Sequence, residues 1–95
     1  MEIVLIQSAE TDWFRLLSRF GDGFDRFFNE AVDQLKKNPK QGPSYRIEPI
    51  RRMVIQKSPW GIFYVPEPTR IVILAIEDLR QDPASLKRKL EGLQP

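Results

Sequence analysis

The pattern of this chain predicts an α+β fold. An N-terminal strand and an α-helical hairpin precede a three-stranded antiparallel run that forms one sheet covered by the helices, and a short C-terminal helix follows. Three observations predict this. Apolar side chains between Trp13 and Leu35 recur with a helical period of about 3.6 residues. From Ile50 the apolar and polar positions alternate, as on a strand. Ile71-Val72-Ile73-Leu74-Ala75-Ile76 is an unbroken apolar run rich in β-branched residues, which suits a central strand covered on both faces.

In chain order, Ile3-Val4-Leu5-Ile6 is a short apolar run that suits a first strand. Ser8 stands where a helix N-cap belongs, with Glu10 and Asp12 in the first turn, where the helix dipole favours negative charge. Trp13, Leu16, Leu17 and Phe20 lie on one helical face. Gly21-Asp22-Gly23 breaks that helix and offers Asp22 as the next cap. Phe24, Phe27, Phe28, Ala31 and Leu35 repeat the stripe until Asn38-Pro39 stops it. That aromatic stripe reads as core facing the sheet. Lys40 to Ser44 is a loop, and Tyr45 to Pro49 an extended lead-in.

In the strand that starts at Ile50, Met53 and Ile55 share one face, and Arg52, Val54 and Gln56 the other. Ser58-Pro59 and Pro66-Glu67-Pro68 are the two turns, and Trp60 to Val65 is the strand between them. Asp82-Pro83 is an N-cap with Pro at the first helical position. Leu86, Leu90 and Leu93 then share a face, with Lys87, Arg88 and Lys89 mostly off it. So short a helix is marginal unless docked.

The 95 residues suit a single domain spanning 1–95. They include no cysteine and no histidine, which removes disulfides, cysteine-ligated zinc and the usual general base. The cysteine-free composition suits a cytoplasmic location, the N-terminus lacks the pattern of a signal peptide, and no apolar run is long enough for a membrane span. Charge is uneven. Residues 1–45 carry six basic and seven acidic side chains, and residues 46–95 carry nine and six, so the positive field belongs to the C-terminal half.

No Gly-rich phosphate loop, metal-ligand cluster or Ser/His pairing is present, and no cofactor or metal is expected. Glu77, Asp78 and Asp82 read as a solvated strand end beside a helix cap. What remains is basic and aromatic: Arg51, Arg52, Lys57, Tyr64, Arg80 and the Lys87-Arg88-Lys89 run. A fork of guanidinium groups holds a phosphate and stabilises its developing charge, and Tyr64 can stack on a base. These residue types suit RNA cleavage by positioning a 2′-OH, with Arg52, Arg80 and Tyr64 at the reacting centre. Arg51, Lys57, Lys87 and Arg88 would contact the RNA or another target. Spacing equally allows Arg51 and Arg52 to pair with Glu48 or Glu67, and the terminal run to be a solvated helix face.

Four segments in order carry a resemblance to a known family: Ile50-Arg51-Arg52-Met53-Val54-Ile55, Trp60-Gly61-Ile62-Phe63-Tyr64-Val65, Ile71 to Ile76, and Asp78-Leu79-Arg80-Gln81-Asp82-Pro83. Over nearly the whole chain the order resembles the RelE/ParE superfamily of toxins from bacterial type II toxin–antitoxin systems. There, a basic pair is followed by an aromatic strand, an aliphatic strand and an R-x-D-P ending. The resemblance implies a toxin that inhibits growth, either as a ribosome-dependent mRNA endoribonuclease or as a protein inhibitor of DNA gyrase. It also implies a cognate antitoxin that wraps around the toxin, in a heterotetramer or larger complex, and Leu86 and Leu90 form the face such a segment would displace.

Arg51 and Arg52 match the family's basic pair, Tyr64 its aromatic strand and Arg80 its terminal Arg. The sequence departs from the nuclease pattern at Val65, which replaces a frequent basic residue, and at Asp78, which replaces a frequent histidine. It departs again after Asp82, where the tail has no Tyr or His. A general acid–base contribution of about 10²–10⁴-fold then has no obvious source. A non-catalytic RNA- or protein-binding module on the same scaffold, or an inactive toxin, is the alternative.

Overall fold

The aliphatic run is the centre of the sheet. In the computed structural model, which describes residues 1–93, β4 (Arg70–Asp78) hydrogen-bonds to β1 (Glu2–Leu5) on one side and to β3 (Trp60–Pro66) on the other. Beyond β3 lies β2 (Arg51–Val54), giving the order β1-β4-β3-β2. The β2–β3 and β3–β4 pairs are antiparallel, as predicted, but β1 runs parallel to β4, so the sheet is mixed. The parallel pairing follows from the hairpin, which carries the chain across one face before it returns.

Residues 71–77 are all buried because both faces of β4 are covered. Ile71, Ile73 and Ile76 face one side, whereas Val72, Leu74 and Ala75 face the other. Leu74 and Ala75 share a face because the β3–β4 register shifts there: Phe63 pairs with Ala75 and Tyr64 with Ile73. One extra residue on β4 thus inverts the alternation halfway along the strand, as a β-bulge does.

The hairpin consists of α1 (Gln7–Phe20) and α2 (Asp22–Lys37). Helix α1 starts one residue before Ser8, with Ile6 at its N-cap, so Ser8 is not the cap. The break is a single residue. Gly21 takes φ 61°, a left-handed value that glycine adopts without strain, and Asp22 already lies inside α2. Phe24, Phe28, Ala31, Val32 and Leu35 pack from α2 onto Trp60, Ile62, Tyr64, Ile71 and Ile73. Phe24 stands edge-on to Trp60 with centroids 5.2 Å apart. Burying several such side chains, each worth about 1.5–3 kcal/mol, makes this layer the principal core.

The opposite face is not an open basic surface. Ile50, Phe63, Val65, Val72, Leu74 and Ala75 form a second core with Leu86 and Leu90 of α3 (Pro83–Glu91). Tyr45, Ile47, Leu79 and Leu93 pack around its margin. Asp82 caps α3, its carboxylate accepting from the Ala84 amide at 3.4 Å, as Asp-Pro predicts. Strand β2 is shorter than the alternation implied, and Ile50 just before it is fully buried.

Candidate functional site

Tyr64 lies inside the protein. Its relative exposure is 0%, it packs among the hairpin-side core residues, and its Oη accepts the Gly42 amide at 3.0 Å. Arg51, paired with Tyr64 across β2 and β3, donates through Nη1 to the Gly42 carbonyl at 2.7 Å and to the Lys40 carbonyl at 3.2 Å. A Cβ at Gly42 would lie 2.7 Å from the Arg52 carbonyl oxygen, so no larger residue fits this crossing. Burial raises the Tyr64 pKa, offset in part by the Gly42 hydrogen bond and the Arg51 charge. Together these groups clasp the loop before β2. In this conformation Tyr64 presents no ring face to solvent.

Arg52 points the other way, toward the α3 side. Its guanidinium lies 5.7 Å from the Tyr45 ring centroid, and that ring stands edge-on to Phe63 at 5.1 Å. Arg52 lines a cavity of about 290 Å³ together with Tyr45, Arg46, Leu79, Pro83 and Leu86. Neither Arg51 nor Arg52 forms the pairing with Glu48 or Glu67 that spacing allowed; Glu67 pairs with Arg70.

Helix α3 is held by a charged contact as well as by leucines. Lys89 Nζ donates to both oxygens of Asp12 at 3.1 Å and also to Glu77. Asp12, on α1, further accepts the Ile76 amide at 3.0 Å, and Glu77 accepts the Gln81 side-chain amide at 2.7 Å. Both carboxylates are buried, at 2% and 5% relative exposure. Glu77 is therefore no solvated strand end, and Lys89 is no free surface charge. Burial raises the Asp12 pKa. The Ile76 hydrogen bond lowers it, Glu77 adds to the rise, and Lys89 opposes it.

Arg80 sits at the opposite end of β4 from Arg70, with its side chain 74% exposed, and forks onto Asp78. Its Nε lies 3.0 Å from Oδ1 and its Nη2 2.7 Å from Oδ2. These hydrogen bonds, with a smaller contribution from Arg19, lower the Asp78 pKa to about 2. Arg80 lines a cleft of about 510 Å³ with Arg15, Arg19, Phe20, Trp60 and Gln81.

The proposed reacting trio is not assembled in one place: Tyr64 is internal, and Arg52 and Arg80 line different cavities. Lys57 is exposed in the β2–β3 turn at φ 63°. Lys87 lies 3.8 Å from Glu91, and Arg88 lies 3.5 Å from the Ser85 hydroxyl, both on the solvent side of α3. Leu86 and Leu90 are buried beneath α3, so a segment binding that face must displace the helix. The sequence marks Asp12 only as a first-turn acid and Lys89 only as one of a basic run, and it does not single out Arg15 or Arg19. One signal was available, because Asp12 falls on the buried stripe of α1 with Ala9 and Leu16. Among the described residues, no group of three or more His, Cys, Asp or Glu could hold a metal ion.

Comparison with known families decides the identity. The family of ParE toxins of type II toxin–antitoxin systems, parDE, matches residues 3–83. The chain belongs to the ParE toxin family.

Solved structures agree in fold. A copper-bound mutant toxin from Helicobacter pylori superposes with a TM-score of 0.65 at 20% identity, over 82% of this chain and 93% of that one. The chromosomal ParDE toxin–antitoxin system from P. aeruginosa gives 0.64 at 17% identity, over 84% and 97%. Identities this low speak to fold alone. No curated protein sequence matches the chain significantly. In this ParE-family toxin the basic pair of β2 and all of β4 lie inside the family match, whereas Leu86, Lys89 and Leu90 lie beyond it.

Proposed function

We propose that this ParE-family chain is the toxin of a type II module and arrests growth in the cytoplasm by binding DNA gyrase through protein contacts. A cognate antitoxin neutralises it in a heterotetramer or larger complex. One observation carries the choice of target: the sheet face on which a nuclease would hold RNA is filled by Leu86 and Leu90, and Tyr64 is internal. Without histidine and with Arg80 committed to Asp78, the remaining groups lack an acid–base pair for phosphodiester cleavage.

Induced expression of the chain alone in a bacterial host tests this reading. Growth arrest with filamentation, DNA damage and intact transcripts is the expected result, reversed by co-expressing the product of the adjacent reading frame. Ribosome-dependent cuts in messenger RNA would overturn the gyrase assignment, and normal growth would overturn the toxin reading itself.

A second reading has its own support in Arg52, whose guanidinium faces the Tyr45 ring in a cavity shared with Arg46. A basic and aromatic cleft of this kind suits single-stranded RNA held without cleavage. Binding that falls steeply with salt and leaves the RNA uncut would favour it over the gyrase reading.

A further inference from the structure

We infer that the cleft between the last turns of α1 and the turn joining β4 to α3 docks an acidic peptide segment of a partner protein. An apolar side chain of that segment sits against Phe20 and Trp60, and its carboxylates meet Arg15 and Arg19. The inference rests on the antitoxin reading for the identity of the partner, which is taken as the product of the adjacent reading frame.

The argument starts from the balance of hydrogen-bonding groups in the cleft. Its acids are already satisfied: both oxygens of Asp78 are engaged by Arg80, and both oxygens of Glu77 by Lys89 and Gln81. Its arginines are in surplus. Among the described residues Arg19 has no acidic partner within salt-bridge distance, and its guanidinium rests 5.3 Å from the Phe20 ring centroid. Arg15 makes a single 3.4 Å contact with Asp12, whose oxygens already serve Lys89 and the Ile76 amide. Arg15 and Arg19 are four residues apart on one helix face, where like charges destabilise a helix by about 0.2–0.5 kcal/mol. A carboxylate between them removes that repulsion and gains charge-assisted hydrogen bonds.

The cleft also offers apolar surface. Phe20 is 44% exposed, and its ring meets Trp60 edge-on with centroids 4.9 Å apart. At about 510 Å³ the space is large enough for a few side chains. A nucleic-acid backbone fits it less well, because its regularly spaced phosphates would run against the partly exposed Asp78 on the other wall. A peptide with isolated carboxylates around one apolar residue avoids that repulsion, so charge complementarity favours an acidic peptide over RNA.

The test uses the full chain, the purified product of the adjacent frame, and a fluorescein-labelled peptide in which one Leu is flanked by Glu residues. The Arg15→Gln/Arg19→Gln and Phe20→Ser variants change exposed side chains, and thermal melting verifies that they fold. Each should weaken both ligands about tenfold or more, whereas Lys36→Gln/Lys37→Gln, on the far end of the hairpin, should leave affinity unchanged. If the adjacent product binds wild type and cleft variants equally, the inference fails while the antitoxin reading stands. If it does not bind wild type at all, the antitoxin reading fails. Displacement of the labelled peptide by the same peptide with Lys in place of Glu, or by a single-stranded RNA oligomer, would also overturn the acidic-peptide assignment.

Discussion

Helices of 14 and 16 residues cover one face of the sheet, whereas the other is covered by α3, only nine residues long. The hairpin holds its place by aromatic packing, with Phe24, Phe28 and Trp60 interlocked. Helix α3 has two buried leucines and one lysine set between two buried carboxylates. Helices shorter than about 12–15 residues are marginal alone, so α3 depends on its docking contacts. The first layer is the larger core, and the second is a cover held by two leucines and fastened at one charged point. Because that cover fills one face of the sheet, its attachment bears directly on what that face can bind.

Removing an aromatic from the permanent layer should have the largest effect. Phe24→Ala leaves a cavity against Trp60 and Phe28 and should lower global stability by about 3–5 kcal/mol, read by urea denaturation. Lys89→Met attacks the cover instead. It leaves Glu77 buried without a cation and Asp12 with only its 3.4 Å contact to Arg15, and should weaken α3 docking by about 3 kcal/mol, the lower end of the range because Lys89 is one-third exposed. Undocking solvates both carboxylates, so this variant should lose α3 while keeping the hairpin. The Asp12 pKa is raised, so the folded state binds a proton that the unfolded state lacks as pH falls toward 3.8. The Lys89→Met defect should therefore shrink in acid, as measured by melting temperature against pH.

Smaller changes separate clasp from rim. Tyr64→Phe removes the acceptor of the buried Gly42 amide and should cost about 1–3 kcal/mol, with growth inhibition retained in expressing cells. Arg80→Ala removes an exposed, solvent-screened pair and should have the smallest effect on stability. Its signature is in the acid limb. The Asp78 pKa is lowered from 3.8 to about 2, so its contribution is present above 3.8 and lost as pH falls toward about 2. Arg80→Ala should reduce that dependence, leaving the part due to the Arg80 backbone amide, so its small loss of melting temperature is present at neutral pH and fades as pH falls toward about 2.

Element order, the helical stripes and the Asp-Pro cap were legible because each rests on local periodicity or local capping chemistry. The parallel β1–β4 pairing and the bulge at Leu74 were not, because register belongs to two strands at once. The site was less legible than the fold. Sequence placed Tyr64 on the right strand but could not tell that its face turns inward onto Gly42. The basic run Lys87-Arg88-Lys89 read as uniform, yet only Lys89 turns toward the sheet. Its partners, Asp12 and Glu77, are distant in sequence, and only tertiary packing brings all three together.

The difference between the two layers is tested most directly by native-state hydrogen exchange on wild type and Lys89→Met. In wild type, the amides of Leu86 to Leu90 should exchange through a local opening of lower free energy than that protecting Phe28 to Leu35. In Lys89→Met the α3 protection should disappear, while α2 keeps protection set by its own core. Equal protection of α3 and α2 in wild type, or unchanged α3 protection in the variant, would contradict a cover fastened by Lys89.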